Sequence, residues 1–183
     1  QAKPDNSVVV LAPRFVSKGA IDRFVTTKID WIRSHQSRNK DSIQNPIVWA
    51  SGGEVPYLGQ SYKLIESQGD EACFRVSNGS LVIPDLEGQA LQKKVMNWMR
   101  NCATDVITDR VEWYAAQMGL QPKEIKFRKM KSRWGSCSSR GTVSFNWIML
   151  QAPLEVVDYV VVHELAHLKE MNHSKRFWDI VEV

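Results

Sequence analysis

The chain has 183 residues, 43% hydrophobic and 24% charged, the balance of a soluble globular protein rather than of a disordered or low-complexity one. No apolar run approaches the ~20 residues of a membrane-spanning helix, no signal-peptide pattern opens the chain, and three scattered cysteines (Cys73, Cys102, Cys137) exclude a disulfide framework. A cytoplasmic location is therefore expected, and the net charge of +4 permits an anionic partner without identifying one.

In chain order, Val8 to Ala12 predicts a strand ending before Pro13. Ile21, Phe24, Val25, Lys28 and Ile32 then share one face of a helix running from Ser17 to about Ser34. Residues 36 to 46 are polar and end at Pro46, which predicts a loop, and His35 beside it carries no assigned role. Ile47 to Ala50, Tyr62 with Leu64, the alternation of Ala72, Phe74 and Val76, and Leu81 to Ile83 read as strands. Gly52-Gly53 and Asn78-Gly79 supply turns between them, so the expected arrangement is an antiparallel meander. Residues 1–85 are thus expected to form a β-rich subdomain with one helix.

From Leu86 to Met118 the pattern becomes helical. Leu91, Val95, Trp98, Met99, Cys102, Val106, Val111, Tyr114 and Met118 make the apolar stripe, and Gly119 and Pro122 end it. Ile125 and Phe127 alternate with Lys126 and Arg128 in a strand with one basic face. Arg133 to Gly141 reads as a turn, and Thr142 to Trp147 as a second strand. Pro153 suits the first position of a helix whose apolar face is Leu154, Val157, Val160, Val161, Leu165 and Leu168. The amphipathic pattern of Phe177, Trp178, Ile180 and Val181 stops at Val183 without a cap, so the native chain is expected to extend further.

That last long helix carries the chemistry. His163 and His167 stand four apart on one face, where both rings can reach one ion, and Glu164 sits beside the solvent ligand of that ion. Such a His-Glu-x-x-His match arises by chance in about one chain of this length in a few hundred, and His173 lowers the odds further. On an unbroken helix His173 would lie ~9 Å beyond His167, so the helix is expected to end near Met171 and Asn172 and turn His173 back onto the ion. Asn172 is expected to supply the corner and Ser174 the cap of whatever helix follows. Three histidines leave one position open, the pattern of a catalytic zinc site.

Taken with Arg133-Trp134-Gly135-Ser136-Cys137, Pro56-Tyr57-Leu58-Gly59, Asn172-His173-Ser174 and Phe177-Trp178, the chain resembles the YgjP-like metallopeptidase domain family, related to the SprT-like and WLM zinc peptidases. The resemblance implies an α+β fold: a strand, a helix and a meander, a long backing helix, then a zincin-like sheet with the active-site helix in a catalytic subdomain spanning 86–183. It also implies Zn2+ held by His163, His167 and His173, with Glu164 as general base. Metzincins space a third histidine similarly but have glycine where this chain has Glu170, and no methionine turn follows.

The expected activity is hydrolysis of extended polypeptide by a zinc-activated water. The alternatives are a zinc-dependent nucleotide pyrophosphatase and a non-catalytic zinc-stabilised binding module. Lys123, Lys126, Arg128, Lys129, Lys131 and Arg133 make a basic stretch compatible with nucleic acid or with a solvated strand face. Tyr159 and Arg133 are candidate donors to an oxyanion on spacing alone. Cys137 reads as a small buried thiol, with a thiolate at the open metal position as the less favoured alternative.

Overall fold

The computed structural model describes residues 47–67 and 74–182, together with Lys18, Gly19, Thr26 and Ile29, which are helical. The strand expected at Val8 to Ala12, most of the helix after Ser17, and residues 68–73 lie outside the described residues. The chain divides into two compact units, 1–47 and 48–183, and every element named here belongs to the second. Among the described residues these are β1 (Glu54–Tyr57), β2 (Gln60–Glu66), β3 (Arg75–Ser77), β4 (Ser80–Ile83), α1 (Gly88–Met118), β5 (Glu124–Arg128), β6 (Gly135–Cys137), β7 (Thr142–Asn146), a 3-10 helix (Trp147–Gln151), α2 (Leu154–Ala166) and α3 (Lys175–Val181). No helix among them is long and apolar enough to cross a membrane.

The first sheet runs β1-β2-β4-β3 and is not the expected meander, because β2 and β4 pair in parallel. Burial explains the exchange of places. Arg75, Val76 and Ser77 of β3 are all exposed, whereas Leu81 and Ile83 of β4 are buried, so the apolar strand of the Asn78-Gly79 hairpin takes the inner position, with Leu81 opposite Leu64. The first strand also follows Gly52-Gly53 rather than preceding it. It carries Pro56 at the sheet edge, where a missing N–H is tolerated.

The tip joining β1 to β2 reaches across to the start of α2. Leu58 and Gly59 both have positive φ (47° and 75°), as a two-residue hairpin turn requires. The Leu58 N–H donates to the Leu150 carbonyl at 2.7 Å, and a Cβ at Gly59 would stand 2.7 Å from the Cα of Pro153. This turn therefore rests on the residue that starts α2. Pro153 is the N-cap rather than the first helical residue, its carbonyl accepting from Val156 and Val157.

Helix α1 buries Leu91, Val95, Met99, Ala103, Ile107, Val111 and Ala115, a strict four-residue spacing. Each four-residue step overshoots a turn by ~40°, so the buried line winds around the helix instead of staying on one face. From Met99 onward it joins Val143, Phe145, Trp147, Met149, Leu150, Val157, Val160, Val161 and Leu165 in the main core. Trp98, Cys102, Val106, Tyr114 and Met118, placed on the expected stripe, flank that line, half-buried. Gly119 closes the helix in the left-handed conformation, as expected. A two-pronged pair, Arg110 Nε to Asp158 Oδ1 at 2.6 Å and Nη2 to Oδ2 at 2.7 Å, ties α1 to α2.

The second sheet runs β5-β7-β6, with β5 parallel and β6 antiparallel to β7. Residues 135–137, expected within a turn, form an edge strand, because Gly135, Ser136 and Cys137 register against Phe145, Ser144 and Val143. α2 packs against this strand.

Candidate metal centre and active-site cleft

α2 presents His163 in its last turn and stops at Ala166, earlier than the expected end near Met171. The backbone tightens there: Leu168 and Lys169 N–H donate to the carbonyls of Leu165 and Ala166, three residues back. His167 is the C-cap, and its Nδ1 lies 3.0 Å from the Glu170 carbonyl oxygen, which makes Nδ1 the protonated nitrogen and leaves Nε2 with a free lone pair. No residue of this corner has positive φ; the non-glycine residues that do, among those described, are Leu58 and Asn78. Glu170 therefore serves where metzincins place glycine. Asn172 acts through its side chain, with Oδ1 accepting from Ser174 N–H at 3.1 Å, and Ser174 is the N-cap of α3 without using its hydroxyl.

The corner brings all three histidines together. Their ligand atoms lie within 4.8 Å of one another, and the Nε2 atoms of His163 and His173 are 3.0 Å apart. Two nitrogens bound at ~2.0–2.1 Å to one tetrahedral ion stand ~3.3 Å apart, so the array fits a metal of zinc's size. Burial, and next the neighbouring His167 and His173, push the His163 pKa down, favouring the neutral ring that a metal ligand must be. Phe177 of α3, fully buried, packs its ring against all three imidazoles at 4.9, 4.6 and 4.6 Å. It forms an apolar wall behind them that holds their orientation. The amphipathic spacing predicted that Phe177 would be buried but gave no reason to place it behind the triad.

Glu164 is buried, with only 7% of its surface exposed, and burial lifts its carboxyl from 4.5 to about 7 while the Arg133 charge works the other way. β6 runs directly against it: a Cβ on Gly135 would lie 2.5 Å from both Cγ and Oε1 of Glu164. The glycine is required by close approach rather than by φ. Together Arg133, Gly135, Ser136, Cys137, Glu164, His167 and Met171 line a cleft of about 230 Å3. Cys137 thus faces the same space as Glu164. Burial, and secondarily Glu164, raise its thiol pKa, so in the metal-free site it is a protonated thiol.

Of the basic stretch, Arg133 alone lines the cleft; β5, with Lys126 paired to Glu124 at 2.7 Å, lies on the far side of β7. Tyr159 touches the His163 ring at 5.9 Å but lines a different, larger cavity of about 650 Å3 between α1, α2 and the end of α3, away from Glu164.

A comparison with curated proteins gives no match. Among solved structures the chain is similar to the metallopeptidase zymogen of Pyrococcus abyssi abylysin, at 31% identity over 42% of this chain and 76% of that one, with a TM-score of 0.39. The family model described as the YgjP-like metallopeptidase domain matches residues 1–183, the whole length of the sequence. The chain belongs to the YgjP-like metallopeptidase domain family and is a metal-dependent peptidase.

Proposed function

We propose that the protein is a zinc peptidase of zincin type, in which His163, His167 and His173 hold the ion and Glu164 is the general base. The observation that carries this reading is the meeting of three imidazoles within 4.8 Å beside a buried carboxylate that opens on the same cleft as His167. When bound, zinc supplies Lewis acidity, acidifying a water toward a pKa of ~7 and polarising a carbonyl. Glu164 takes a proton from the water that attacks the peptide carbonyl carbon and returns it to the amine nitrogen as the C–N bond breaks. Its raised pKa suits both halves of that exchange near neutral pH.

The substrate in this reading is an extended polypeptide. β6 is an edge strand whose three residues line the cleft, so a substrate backbone can add to it as a further strand alongside Glu164. Adding to a strand edge requires an extended backbone with free N–H and C=O groups, which favours unfolded chain over folded protein.

Zinc-loaded protein incubated in parallel with unfolded polypeptide and with nucleoside triphosphates tests the proposal. Peptide fragments are expected, with turnover reduced ~10³-fold in Glu164→Gln while one zinc per chain is retained. Pyrophosphate release without peptide cleavage would redirect the same water to phosphoanhydrides, and inertness toward both would leave a binding module.

A further inference from the structure

The cleft contains one cationic side chain, and its surroundings single it out. The backbone of Arg133 is fixed from below by Asn146, a buried residue at the end of β7. The Asn146 Nδ2 group donates to the Met130 carbonyl at 3.0 Å and to the Arg133 carbonyl at 3.3 Å, its N–H donates to the Trp134 carbonyl at 2.7 Å, and its Oδ1 accepts from Ile148 N–H. The loop entering β6 is therefore pinned on both sides of Arg133 by one residue, Asn146, whose backbone N–H and side-chain polar atoms are all used. Arg133 is an exposed residue, and its guanidinium makes neither a hydrogen bond nor an ion pair among the described residues.

A fixed backbone carrying an unpaired five-donor fork at the wall of a small cleft is an arrangement for binding an oxygen atom of whatever enters. Pairing with Glu164 would consume the base, and no such bond is made, though the guanidinium is close enough for its charge to be felt there. Tyr159, the other candidate on spacing, lines a separate cavity.

We infer that Arg133 is a further catalytic residue, its guanidinium donating to the carbonyl oxygen of the scissile peptide as negative charge collects there. This rests on the peptidase reading above. In the step it serves, the water oxygen bonds to the carbonyl carbon, the carbonyl π pair moves onto its oxygen, and the water proton passes to Glu164. Arg133 supplies donors to the oxygen that gains the pair and itself gains or loses no proton.

The test uses the zinc-loaded full chain and separates this inference from the reading beneath it. Wild-type cleavage of an unfolded peptide, lost in Glu164→Gln, establishes the peptidase; its absence removes both. Given that activity, Arg133→Gln and Arg133→Ala are expected to retain one zinc per chain and to lose ~10²-fold or more in kcat with KM changed less than ~3-fold. Millimolar guanidinium is expected to restore part of the Arg133→Ala rate. A readout independent of turnover is binding of a phosphinic peptide, whose tetrahedral anion resembles the attacked carbonyl. Arg133→Gln is expected to weaken it ~10²-fold while leaving uncleaved peptide binding to Glu164→Gln within ~3-fold. Unchanged kcat with unchanged phosphinate affinity overturns the inference. So does a loss confined to KM that disappears for peptides with an amidated C-terminus, which would make Arg133 an anchor for the substrate carboxylate.

Discussion

The hairpin tip of the first sheet and the histidine corner after α2 are both tight reversals docked on the same helix, yet they hold their strain in different forms. At Leu58-Gly59 it is in the backbone: a leucine at φ 47° next to a glycine pressed on Pro153. The corner from His167 to Ser174 contains no positive φ, and the unfavourable terms are electrostatic. They sit on the adjoining last turn of α2: a carboxyl buried against β6, and the Nδ1 of His163 buried without a partner while its Nε2 meets that of His173 at 3.0 Å. Backbone strain can only be held by packing, whereas electrostatic cost can be relieved by a bound cation. The first turn is accordingly a prop, and the second has the donor set to take a cation.

Four substitutions sharpen that contrast, beginning with the greatest expected loss. His173→Ala removes the ligand supplied by the corner. Zinc per chain measured by mass spectrometry is expected to fall well below one and peptide turnover by more than ~10³-fold, while circular dichroism stays native. Gly135→Ala places a methyl where the Glu164 carboxylate stands. A displacement of the base by about an ångström is expected to lower kcat on the order of 10²-fold with zinc retained; normal kcat would mean that the carboxylate has room to move.

At the prop the prediction reverses. Gly59→Ala adds a Cβ against Pro153 at a positive φ, so thermal unfolding is expected to show a loss of about 2 kcal/mol, with kcat of the folded fraction within about twofold of wild type. Equal losses of kcat would show that the hairpin tip sets the active site directly. The smallest effect is in metal-free protein. The folded-state pKa of Glu164 is raised from 4.5 to about 7, so the folded chain holds a proton that the unfolded chain has released, and stability falls as pH rises between those values. Glu164→Gln is therefore expected to be more stable than wild type at pH 8 by roughly 1–2 kcal/mol, discounted from full linkage because the cleft admits water. Below pH 4 the difference should vanish, as chemical denaturation of zinc-free samples would reveal.

The histidine spacing made the centre legible before any fold was known, because four-residue separation on a helix and an impossible six-residue one together demand a corner. Where the helix stops was less legible: the 3-10 tightening after Leu165 and the His167–Glu170 contact have no signature in residue type. Binary patterning gave α1, but a four-residue drift moved its buried line onto Ala103, Ile107 and Ala115, which an ideal stripe passes over. The meander failed because alternation identifies strands and not their neighbours; the exposure of β3 decided that β4 would pair with β2. Gly135 stands in the Arg-Trp-Gly-Ser-Cys motif, yet its reason, contact with Glu164, lies between residues twenty-nine positions apart and is invisible along the chain.

Zinc-edge X-ray absorption on zinc-loaded protein reads the ligands of the ion itself. One ion per chain is expected in a shell of nitrogen and oxygen only, with three imidazoles, reduced to two in whatever zinc His173→Ala retains. A sulfur scatterer from Cys137, or a shell unchanged by removal of His173, would contradict it.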